Sequence, residues 1–254
     1  MKIESSLDWK LDSKRNGKKI ILKKGIYRQN LTVDENLTLQ ARKRAKTKLV
    51  PSRTDLPLLQ IGPSPVVVEL RGISLDSSDL SLPAVVVTGE STLRTEDLTV
   101  NGGRCPVLIT GNSTAILKRA TISDSIYGIV GFDSSTLKLK NSKVIKNKDG
   151  LLLFDKAEAF IDTSIINQNG NGIIVWDKSR LLISTTIIKE NSNYGLIYKK
   201  EGFSPRAKIK VRESELRGNG AGDLKRAGEI SASIGDIVSS HPPKKSSWLK
   251  SLNL

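Results

Sequence analysis

The 254-residue chain has a single cysteine, Cys105, so no disulfide can form within it. It has one histidine, His241, and shows no Ser-His-Asp set, no zinc-ligand spacing and no phosphate-cradling glycine loop. Aromatic residues make up only 4% of the chain, so a core must come from Val, Ile and Leu. No stretch approaches the roughly 18 uncharged apolar residues that span a bilayer. Residues 1–13 lack the apolar centre of a signal peptide. These absences make the cytoplasm the expected location, although a chain trimmed of an export signal would read the same.

Positive charge is abundant. The formal net charge is +15, and residues 1–53 carry 15 Lys/Arg against 5 Asp/Glu. The densest run is Arg42, Lys43, Arg44, Lys46 and Lys48. Such a cluster draws in polyanions: nucleic acid, acidic glycan or anionic lipid. The plain alternative is a solvated basic end that keeps the chain soluble.

The strongest signal is an internal repeat. Gly128, Gly150, Gly172 and Gly195 are spaced 22, 22 and 23 residues apart, and Ala84 and Pro106 continue the step backwards. An apolar strand follows each one, such as Leu151-Leu152-Leu153. Leu93, Ala115, Leu137, Ala159 and Leu181 form a second column in the same register, and Val100, Ile122, Val144, Ile166 and Ile188 a third. Apolar residues two apart mark short strands, because side chains alternate faces. Three such strands per 22 residues make a triangular coil, and stacked coils make an all-β parallel β-helix. The last coil carries extra residues at Lys199–Arg206, read as a loop on one face. Asn147, Asn169, Asn191 and Asn219 form a corner column, read as structural.

Gly17–Leu39, with its Gly25-Ile-Tyr segment between apolar strands, resembles the opening coil of pectate-lyase-like and pectin-esterase-like β-helices: a strand, a Gly-aromatic turn, then two more strands. The Gly-Ile coils resemble the carbohydrate-binding-and-sugar-hydrolysis repeats of that superfamily. The resemblance implies a right-handed solenoid. It does not imply one activity, since the superfamily holds lyases, hydrolases, epimerases, esterases and non-catalytic scaffolds. The expected organisation is an N-terminal cap over 1–16, the β-helix over 17–220 and a C-terminal cap or flexible tail over 221–254.

Alternation in the Gly-led strands sends Val130, Leu152 and Ile174 outward, followed two residues on by Phe132, Phe154 and Trp176. An apolar outer ladder of this kind marks contact with something. Either the tail or the 199–206 loop lies over it, or it takes a protein partner, a second copy or stacked sugars. Beside it stand Asp133, Asp155 and Asp177, again 22 apart. Stacked carboxylates suit a hard cation such as Ca²⁺ or a carboxyl kept protonated by its neighbours. The alternative is turn chemistry, because the earlier members of the column are Gly89 and Gly111.

The motifs that the family's enzymes need are missing. There is no Gly-His-Gly with grouped Asp, no Arg-x-x-Pro-x-x-Arg, and no esterase pattern of paired Asp with Gln. A lyase using a Lys base with Ca²⁺ on Asp133, Asp155 and Asp177 stays open. The first expectation is a non-catalytic scaffold, with no cofactor, binding a protein or a second copy through the apolar ladder. The alternatives are a protein that binds or cleaves polysaccharide and a polyanion binder acting through Arg42–Lys48.

Overall fold

A computed structural model describes residues 3–4, 18–42, 47–176, 178–199 and 208–222. Among these residues the secondary structure is entirely strand, arranged in three parallel sheets that stack coil upon coil. The first sheet holds the Gly-led strands, from Leu31–Val33 through Tyr127–Gly131 and Asp149–Leu153 to Leu196–Lys199. The second runs from Lys18–Leu22 through Thr136–Lys140 to Lys208–Arg212. The third consists of short strands such as Lys143–Ile145.

Register confirms the 22-residue coil in the middle of the solenoid: Leu93 pairs with Ala115, Leu137 with Ala159, and Ala159 with Leu181. The ends depart from it. Lys18 pairs with Leu37 and Leu37 with Val68, steps of 19 and 31. The long second coil carries the irregular stretch 51–58 at one corner. There Asn30 ties the connection down, its amide donating to the carbonyls of Arg53, Leu56 and Pro57. The expected Gly-aromatic turn is instead a strand, Gly25–Arg28, in the third sheet. Tyr27 there is buried among the core side chains.

Inward residues of all three sheets form one continuous apolar cluster, including Val85, Val107, Ile129, Leu151 and Ile173 from the first sheet. Side chains repeated at the same place in each coil stack on one another, so a 22-residue step produces a dry, layered interior.

The corners explain the columns. Asn169 Oδ1 accepts from the Asn147 backbone N–H at 3.0 Å and from its Nδ2 at 3.1 Å. Asn169 Nδ2 donates to Asn191 Oδ1 at 3.0 Å and to the Val144 carbonyl at 3.1 Å. The same pattern continues to Asn219, and all four side chains are buried. The glycine column faces this ladder. A Cβ on Gly150 would lie 2.5 Å from the Gly172 carbonyl oxygen and 3.2 Å from the Asn169 amide, so only hydrogen fits. A second polar ladder, Ser142, Ser164, Thr186 and Ser214, caps another corner. Each hydroxyl accepts an N–H from the coil before, as Ser164 does from Ser142 N at 3.1 Å.

Candidate functional site

The outer side of the first sheet carries a second apolar cluster, separate from the interior. It contains Val86, Leu108, Val130, Leu152, Ile174 and Ile197, one per coil, with Phe154 and Trp176 alongside and Phe132 packed against it. Phe132 stacks on Phe154 with ring centroids 4.6 Å apart, and Phe154 on Trp176 at 5.9 Å. The structure therefore brings together Val130, Phe132, Leu152, Phe154, Ile174 and Trp176, as strand alternation requires. It also shows five of the six to be buried, with Val130 3% exposed, Leu152 4%, Phe154 8%, Ile174 5% and Trp176 4%, while Phe132 is partly buried.

Asp133 and Asp155 stand at the corner after this sheet with φ of 57° and 56°, and Gly89 and Gly111 take the same left-handed conformation one and two coils earlier. Asp133 Oδ2 accepts from the Gly111 N–H at 3.0 Å and from the Thr110 hydroxyl. Asp155 Oδ2 accepts from the Asp133 N–H at 3.2 Å. Each carboxylate thus serves the turn of the coil before it. Asp177 lies outside the described residues. Among those described, no cluster of three or more His, Cys, Asp or Glu side chains could hold a metal ion.

Of the basic run, Arg42 is exposed. Lys48 is paired with Asp76 at 2.7 Å. Burial pushes the Asp76 carboxyl up, but hydrogen bonds from Lys48 and Ser78 outweigh it and hold the group below its ordinary value. Lys43, Arg44 and Lys46 lie outside the described residues.

Sequence reasoning missed the most charged surface. On the outer side of the second sheet, the seven strands from Val67–Arg71 to Lys208–Arg212 present nine cationic side chains and four acidic ones. The acidic groups are all paired: Glu69 with Arg71, Glu96 with Arg119, Glu158 with Arg180 and Asp162 with Lys140. A hydrogen bond from Arg119 holds Glu96 below the usual carboxylate range, and one from Lys140 does the same for Asp162. Among the described residues, Arg94, Lys118, Lys138, Lys208 and Arg212 have no carboxylate at ion-pair distance, and all five are exposed.

In the middle of this face Phe160 and Leu182 sit half-buried. They line a hollow of about 290 Å³ rimmed by Asp162, Ser184, Lys210 and Arg212. The signal was present in the columns between the core positions, where Lys138 separates Leu137 from Leu139 and Lys210 separates Ile209 from Val211.

A family model for the right-handed β-helix region matches residues 70–228. A search of curated proteins found no match. Among solved structures, the PL6-family alginate lyase AlyGC is similar at a TM-score of 0.45 and 12% identity, over 77% of this chain and 36% of the lyase. The A-module of the Azotobacter vinelandii mannuronan C-5 epimerase AlgE6 is similar at 0.49 and 11% identity, over 80% of this chain and 68% of the module. The chain thus spans about a third of the length of the alginate lyase.

Proposed function

For a chain that belongs to the right-handed β-helix family, a fold that hosts many unrelated chemistries, we propose binding of an acidic polysaccharide across the outer face of the second sheet. The observation that carries this reading is the row of exposed cations without a carboxylate at ion-pair distance among the described residues, Arg94, Lys118, Lys138, Lys208 and Arg212, on the face that holds the Phe160–Leu182 hollow. Adjacent strands lie about 4.8 Å apart, so cations on this face recur on the scale of a polymer with one carboxylate per sugar. A half-buried aromatic ring between them supplies a stacking surface for a pyranose, and the hollow is large enough for one ring.

Binding without cleavage follows from the carboxylates. All four on the face are ion-paired, and Glu96 and Asp162 are held below their ordinary range. A general acid must hold its proton near neutral pH, and the ion pairs of Glu96 and Asp162 act against that. The apolar ladder suits a partner-binding scaffold less well, because its side chains have little exposed surface.

The test is calorimetric titration with polymannuronate, with a neutral glucan and with single-stranded DNA, each at low and at raised salt. Polymannuronate is expected to bind and to weaken with salt. Lys138→Glu should cost about tenfold or more, since a nearby attraction becomes a repulsion. Phe160→Ala should weaken binding at both salt levels. Equal binding of the neutral glucan, tighter binding of DNA, or no effect of Lys138→Glu overturns the proposal.

A further inference from the structure

The exposed cations of the second sheet that have no carboxylate at ion-pair distance among the described residues are not evenly spread. Arg94, Lys118 and Lys138 lie on successive strands, and Lys208 and Arg212 lie together on Lys208–Arg212. Between the two groups stand Glu158–Asp162 and Arg180–Ser184, which add none. From the strand of Lys138 to that of Lys208 is three strand spacings, about 14 Å.

Charge inside this gap is cancelled locally. Glu158 pairs with Arg180 at 3.0 Å, and Asp162 with Lys140 at 3.1 Å. Asp162 also accepts from the hydroxyls of Thr163 at 3.0 Å and Ser184 at 3.1 Å. The centre of the gap is apolar, with Phe160 and Leu182 half-buried on neighbouring strands. Glu158 and Asp162 stand on either side of Phe160 along its own strand. Positive charge returns one strand beyond Leu182, where Lys210 and Arg212 line the far side of the hollow.

A sugar carboxylate laid over Phe160 would give up water against an apolar surface. It would also face two carboxylates whose cations are already engaged. An uncharged sugar meets neither cost. Its C–H face lies on the ring, and its hydroxyls reach Asp162 and Ser184 at the rim of the hollow.

Resting on the reading that this face takes an acidic polysaccharide with about one sugar per strand spacing, we propose that the ligand is a mixed polymer. Acidic sugars lie over the strands of Arg94, Lys118 and Lys138, uncharged sugars lie over Phe160 and Leu182, and an acidic sugar lies again over Lys208–Arg212. The face selects an interrupted pattern of charge, not the highest charge density.

The experiment is calorimetric titration of the full-length protein with polymannuronate of one chain length in three forms: fully ionised, partly methyl-esterified and fully methyl-esterified. The partly esterified form is expected to bind tightest, by about threefold over the fully ionised one, the scale of one exposed charge contact. The fully esterified form should bind weakest. Leu182→Lys places a cation in the gap and should reverse the order of the first two forms. Ser184→Lys, at the rim, makes the same test if Leu182→Lys loses its far-UV circular dichroism signal. Equal or tighter binding of the fully ionised form by the parent overturns the proposal and leaves acidic-polysaccharide binding standing. An order unchanged by the added lysine also overturns it. Failure of both the ionised and the partly esterified forms to bind overturns the proposal together with the reading on which it rests.

Discussion

Replacing Asn169 by Ala removes the middle rung of the corner ladder. Asn169 is 1% exposed and makes four hydrogen bonds through its side chain. Two partners have other arrangements. Asn147 Nδ2 keeps the Ile145 carbonyl at 3.0 Å, and Asn191 Oδ1 keeps the Asn169 backbone N–H at 3.0 Å. Two do not fare as well: the Asn147 N–H loses its acceptor, and the Val144 carbonyl loses the donor at its corner. A buried polar group left without a partner costs about 1–3 kcal/mol. The substitution should therefore cost about 3 kcal/mol, roughly a hundredfold in the folding equilibrium. Urea unfolding followed by far-UV circular dichroism measures it. The transition should also broaden, because a solenoid is held together by nearest-neighbour coils and a weakened interface lets the two halves uncouple. The comparison is Asp155→Asn. That change keeps an acceptor for the Asp133 N–H and a residue type that tolerates a φ of 56°. It should stay within about 0.5 kcal/mol of the parent. A loss from Asn169→Ala below about 0.5 kcal/mol, or a larger loss from Asp155→Asn, refutes the assignment of the Asn column to stability and of the Asp column to turns.

Three further outcomes follow from the same geometry. Gly150→Ala should cost more than the usual surface substitution, at least about 2 kcal/mol, because the new Cβ meets the Gly172 carbonyl oxygen at 2.5 Å; denaturant midpoints check it. Thr95→Val should stabilise by about 1 kcal/mol in the same assay, since the buried Thr95 hydroxyl has no hydrogen-bond partner and faces Leu70 and Leu117. Burial pushes the Cys105 thiol up to about 12, so the folded state holds a proton that the unfolded thiol releases near pH 8.5. That contribution is complete below the unfolded value and is lost as pH rises towards 12. Stability should therefore fall between pH 9 and 11 by a couple of kcal/mol more in the parent than in Cys105→Ala, measured by urea midpoints at each pH.

The middle of the solenoid was legible because its residues repeat. Leu93, Ala115, Leu137, Ala159 and Leu181 pair in the register that their spacing implies, and alternation alone separated inward Leu151 from outward Leu152. The ends were less legible, because the 19- and 31-residue steps at Lys18, Leu37 and Val68 leave no fixed period to read. The Ser142–Ser214 ladder went unseen although it has the same step as the Asn column. Serine at a strand corner is so common that only the N–H accepted from the previous coil reveals its role. The burial of the apolar ladder could not be read from the strands themselves, since alternation gives the side a residue faces and not its exposure.

Columns that stabilise differ in kind from the column proposed to recognise. A residue kept in successive coils meets its own kind above and below, and its chemistry is spent there: Asn on Asn, Ser on Ser, Gly against the next carbonyl. The central outward column of the second sheet changes at every coil: Glu69, Arg94, Ile116, Lys138, Phe160, Leu182, Lys210. No two neighbours there satisfy each other in a repeated way, so the fold does not require those identities. A surface that presents charge, ring and hollow in a fixed order along a rigid wall is specific where a homogeneous ladder is not. Variation imposed on a repeat is therefore the sequence feature to read for binding in this chain, and it points to the strands from Thr92–Glu96 to Lys208–Arg212.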